Sequence, residues 1–134
     1  MSLKQLKLAE KVAAQSRLVV TELQSLVKDI ERCEKTMTAL KAELAAVNSK
    51  YQGPRNTRED IAYLTALLDC AKKKLAWEKT IASLQKRTPD ILSKMMSLVN
   101  DPQNPPPDET RAQMLNSLQA VQAAMERLQQ VKIE

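Results

Sequence analysis

Apolar side chains recur at alternating steps of three and four residues from Val12 to Tyr51. With Val12 as position a of a heptad, Val12, Val19, Leu26, Cys33, Leu40 and Val47 fall on a. Leu23, Ile30, Met37, Leu44 and Tyr51 fall on d, with Ala9 and Ser16 as weaker members. A 3.5-residue period held this long predicts a helix that buries one narrow stripe, as in a left-handed coiled coil or an extended bundle. The helix is expected from about Ser2 to Tyr51, roughly 70 Å long. No Pro or Gly interrupts it.

The pattern stops at residues 52–56, Gln-Gly-Pro-Arg-Asn, which hold the only glycine, followed at once by proline. Glycine takes the left-handed conformation that ends a helix, and proline cannot continue it. Thr57 then reads as an N-cap, with Glu59 and Asp60 in a first turn whose dipole favours acids. A second helix is expected from about Thr57 to Lys86. Ile61, Leu64, Leu68, Ala71 and Leu75 form one stripe on it; Leu67, Trp77, Ile81 and Leu84 form a neighbouring one. Glu78 stands where the first stripe would continue, so the helix is expected to touch more than one partner near Trp77; a gradual drift of the seam is the alternative.

Thr88-Pro89 reads as a second boundary, with proline at the first position of a new helix behind a threonine cap; a helix kinked at Pro89 is the alternative. Ile91, Leu92, Met95, Met96 and Val99 supply three more turns. Residues 101–108 hold four of the six prolines, and their triple proline favours an extended, semi-rigid spacer. Met114, Leu118, Val121, Met125 and Leu128 mark a last amphipathic helix. The expected organisation is a hairpin over 1–100, with its turn at 52–56 and a break at 88–89, a spacer at 101–108 and a helix at 109–134.

Composition agrees with an all-α fold. The 134 residues are 43% apolar but only 2% aromatic, with one Gly and no Phe. A sandwich or barrel needs Gly-rich turns and β-branched or aromatic strands, and one glycine cannot build a phosphate-cradling loop. The absence of histidine removes Ser-His and Cys-His nucleophile pairs and imidazole metal sites. No catalytic residue, cofactor or metal is expected. No apolar run approaches the ~18 residues that cross a bilayer. Lys4, Lys7, Glu10 and Lys11 interrupt the first apolar stretch, so no secretory leader is expected there. The cysteines, Cys33 and Cys70, are expected as reduced thiols in cytosol or nucleus; a disulfide between the arms is the minor alternative.

Charge is uneven. Residues 51–100 carry nine basic and five acidic side chains, and residues 101–134 carry three and five. Lys72, Lys79 and Lys86 repeat every seventh position and stack along one helix face. They are expected either to lie in solvent and pair with Glu residues of the first helix or to meet an acidic surface. Nucleic acid is disfavoured for lack of an aromatic platform or a basic-region fork. Thr88-Pro89 behind Lys86-Arg87 also has the form of a proline-directed phosphorylation site, at what would be a favourable helix N-terminus.

A hairpin roughly 70 Å long cannot be covered by a last helix of roughly 36 Å, so apolar stripe should remain for protein partners or self-association. The expected function is a non-enzymatic coiled-coil structural or adaptor subunit of a larger intracellular complex of the cytoskeletal, kinetochore or trafficking type. The residues expected to meet the partner are Leu26, Ile30, Met37, Trp77, Leu118, Val121 and Met125, with Lys72, Lys79 and Lys86 steering it. Two other classes fit less of the pattern: a small helical chaperone or cofactor holding a client, and a basic-face binder of membrane surfaces or nucleic acid.

Overall fold

The computed structural model describes residues 2–131; the end of the expected last helix, residues 132–134, lies outside them. The described chain is all-helical: α1 (Leu3–Lys50), α2 (Thr57–Val99) and α3 (Asp108–Gln130). Both long helices begin with a capping box, in which a side-chain oxygen takes an orphan N–H and a side chain three residues on accepts from the cap's own N–H. Ser2 and Gln5 form it for α1, Asn56 and Glu59 for α2. The α2 cap is therefore Asn56, and Thr57 is already helical.

The connection between α1 and α2 is pinned by its own side chains. Gly53 has φ of 83°, a backbone that a Cβ would strain. The two tyrosines stack across the turn, Tyr51 on Tyr63 with centroids 5.6 Å apart. Arg55 lies over the Tyr63 ring and donates to Asp60 and to the Tyr51 carbonyl. Tyr51 thus caps the turn rather than filling the last d position.

The expected α1 stripe is buried as one continuous row from Ser16 through Leu23, Leu26, Ile30, Cys33 and Met37 to Leu40, with Val12, Leu44 and Val47 half-buried at its ends. Both other helices pack on it. Three ion pairs set α2 antiparallel to α1: Lys73–Glu43, Arg87–Asp29 and Lys94–Glu22, at 2.9, 2.8 and 3.6 Å. These pairs are partly exposed, so they fix register more than they stabilise. The chain reverses again after Val99, and α3 runs beside α1 until Arg127 meets Glu34 at 3.5 Å. The proline-rich segment is a turn rather than a spacer leading away. The Asp101 carboxylate accepts from the N–H groups of Gln103 and Asn104, and Pro106 is buried.

The expected break at 88–89 is absent: α2 runs unbroken through Pro89. The reason is tertiary. Leu84 before the proline and Ile91 and Met95 after it are all buried, so both halves are held to the same stripe. Pro89 is exposed, as is Gln85, whose carbonyl loses its usual N–H partner to the proline. The Thr88 hydroxyl donates to the Leu84 carbonyl at 2.7 Å and caps nothing, so a phosphate there would have no helix N-terminus to rest on. Pro89→Ala should raise stability by about 1–3 kcal/mol in urea unfolding, with helix content unchanged. A loss of stability would mean that the ring itself holds the helix in place.

Candidate interaction surface

Most of the apolar residues expected to meet a partner lie inside the molecule. Leu26, Ile30, Met37, Trp77 and Val121 are buried, and Leu118 and Met125 are half-buried against the same core. They hold the three helices together and offer a partner little surface. Lys72, Lys79 and Lys86 are exposed.

Among the described residues the exposed large apolar side chains include Leu3, Leu6, Leu8 and Leu18 of α1, Met96 of α2 and Leu115 of α3, but the four that share one row in heptad spacing are on α2, in the stripe that starts at Ile61. The helix buries the neighbouring row: Cys70, Trp77, Leu84, Ile91 and Met95 face the core, with Leu67 and Ile81 half-buried between them. A rigid helix cannot turn from one face to another midway. The row containing Trp77 continues to the C-terminus of α2, whereas the row starting at Ile61 ends at Glu78. The longer row, with the one tryptophan, takes the core. Ile61, Leu64, Leu68 and Leu75 are left outside at 61, 65, 56 and 54% exposure. Ala71 between them is also exposed. They keep heptad spacing over about 21 Å of helix.

This stripe lies where the molecule is thinnest. Near its end α3 meets Glu34 of α1 through Arg127, and its described residues stop one turn further on, at Val131. Beyond that level α1 and α2 form an arm of two helices, with no third helix among the described residues. Four aliphatic side chains more than half exposed in one row are the pattern of an interface rather than of scattered surface apolars.

The charges around the stripe are largely uncompensated. In the stripe's own heptad, Arg58, Lys72 and Lys79 occupy e positions and Lys74 a g position. Among the described residues none of these four makes an ion pair, nor does Lys86. The expected pairing of Lys72, Lys79 and Lys86 with the first helix is therefore not observed. Lys73 makes that bridge instead: its Nζ donates to both Glu43 oxygens and reaches Asp69, and the bonds to Glu43 and Asp69 hold its pKa above the usual lysine value. The acids near the stripe are Asp60, already bonded to Arg55, Asp69 beside Leu68, already paired with Lys73, and Glu78 at its end.

On another side of α2, Trp77 donates from Nε1 to the Cys33 carbonyl at 2.9 Å, tying α2 to α1 at the base of the arm. A groove of about 680 Å³ runs past it between the two helices. Its charged lining is paired internally, Arg87 to Asp29 and Lys73 to Glu43, which leaves no orphaned group aimed at a ligand. No group of three or more His, Cys, Asp or Glu among the described residues could hold a metal ion. No helix among them is long and apolar enough to cross a membrane.

Cys33 and Cys70 are buried and unbridged. Burial raises both thiol pKa values, with Asp29 adding to the effect at Cys33 and Glu43 at Cys70. A raised folded pKa means that the stabilising contribution is complete below the ordinary thiol value of 9.0 and is lost as pH climbs past it. Iodoacetamide should accordingly label the native thiols about 100-fold or more slowly than the unfolded chain. Equal rates would show that the thiols are not enclosed.

No protein family, curated protein or solved structure matches this chain.

Proposed function

We propose that this protein is a non-enzymatic helical adaptor: a structural subunit whose coiled-coil-like arm is completed by a helix from a protein partner in a larger intracellular assembly. The observation that carries the reading is the two-helix arm beyond Glu34, with Ile61, Leu64, Leu68 and Leu75 exposed in heptad register along it. The lower half, where α3 closes the core, serves as the rigid base. The two buried, unbridged thiols suit a reducing compartment, cytosol or nucleus.

The alternative of a small chaperone predicts transient capture by a stable monomer, whereas the adaptor reading predicts constitutive association. Light scattering on the protein released from cells under native conditions separates the two. The adaptor should run well above the 15.1 kDa of the chain. A strict 15.1 kDa monomer at all concentrations would overturn it.

A further inference from the structure

We propose that the exposed stripe of α2 receives an acidic amphipathic helix from another protein, packed lengthwise in heptad register. This rests on the adaptor reading and adds the chemistry of the partner.

Shape supports a helix. The stripe is narrow and aliphatic, spaced as a and d positions from Ile61 to Leu75, which is the half-seam that a partner helix closes with its own a and d side chains. A lipid surface calls for a wider apolar face with aromatic side chains at its margin, and this stripe has none.

Charge selects the sign of the helix. The e and g positions that border such a seam set partner choice. Here the g positions hold Asp60 and the half-buried Leu67, Lys74 and Ile81, while the e positions carry Arg58, Lys72 and Lys79, all exposed and none in an ion pair among the described residues. Carboxylates on the facing helix would pair with them at the rim, adding steering and discrimination more than raw affinity. The same charges argue against a second copy of this chain. In an antiparallel pair the e rows meet, and Lys72 and Lys79 would face their own counterparts. Like charges at these positions repel and exclude the wrong partner.

The test uses the full chain and two synthetic four-heptad peptides with identical Leu and Ile seams, one with Glu and one with Lys at every e and g position. Fluorescence anisotropy is read at low and near-physiological salt. The Glu peptide should bind at least about tenfold tighter than the Lys peptide, and salt should narrow the gap. Lys72→Glu with Lys79→Glu should reverse the preference, Lys72→Arg with Lys79→Arg should keep it, and Leu68→Glu should abolish binding of both. Equal affinities, no binding of either peptide, indifference to Leu68→Glu, a concentration-dependent dimer of the chain alone, or tighter association with phosphatidylserine vesicles than with the Glu peptide would each overturn the proposal. If the chain is part of a larger assembly in cells while the peptides show no charge preference, the adaptor reading stands and the acidic helix falls.

Discussion

Replacing Trp77 with alanine should lower the unfolding free energy by about 3–5 kcal/mol in urea titrations followed by circular dichroism. A domain of this kind holds about 5–15 kcal/mol in all, so the variant is expected to be marginal. The size follows from what the indole does. It is the largest side chain of the core, only 5% exposed, and it sits at the base of the two-helix arm, on the α1 stripe. Its N–H reaches the Cys33 carbonyl at 2.9 Å. No neighbouring aromatic can move into the space, because Phe is absent and both tyrosines are engaged at the turn. Trp77→Phe separates packing from hydrogen bonding. It keeps a ring and loses the donor, while the Cys33 carbonyl retains its partner inside α1, so the cost should be about 1–2 kcal/mol. An alanine variant that loses less than about 1 kcal/mol would mean that Trp77 is not the anchor between α1 and α2.

Leu64→Glu combined with Leu68→Glu should do the reverse, leaving the fold intact and removing association. Both side chains are more than half exposed, and Glu matches Leu as a helix former. A carboxylate introduced at position 68 would also stand one turn before Lys72, a favourable spacing. The change in stability should therefore stay within about 0.5 kcal/mol. Against a partner helix the same changes are severe. Each leucine in a closed seam contributes about 1.5–3 kcal/mol by burial, and the variant would place a carboxylate there instead. Affinity should fall by about 100-fold or more, with tenfold lost per 1.4 kcal/mol. The complex mass in light scattering should then drop to that of the chain alone. Retained association with a retained fold would place the partner elsewhere on the molecule.

Much of this architecture is legible in the sequence because α1 has only one apolar stripe. Its heptad runs from Val12 to Val47 without competition, and the structure buries that row. The single glycine marks the turn for an equally local reason, since it alone takes φ of 83° there. α2 is different because it carries two stripes. The heptad at Ile61 is the more regular, but the row through Trp77 is longer. Which of them faces α1 depends on burial summed over the whole helix, a tertiary quantity that no short window contains. The signal lies in Glu78, which closes one stripe while Ile81 and Leu84 continue the other. Pro89 carries the same lesson. Local chemistry reads it as a boundary, and packing of Leu84, Ile91 and Met95 overrides that. The candidate surface is less legible for this reason: Leu26 and Ile30, expected to meet a partner, are core, whereas Leu64 and Leu68, which the pattern only groups in a stripe, are exposed. The lysine row is legible as a row, but the stripe it borders is not.

The most direct measurement places a photo-cross-linking residue in the living cell at Leu68, on the α2 stripe, and separately at Gln119, exposed on α3. A partner helix lying along the two-helix arm should give a discrete, high-yield adduct from position 68 and little from position 119, and Leu64→Glu in the same chain should erase it. Equal adducts from the two positions, or none from position 68, would contradict the adaptor account.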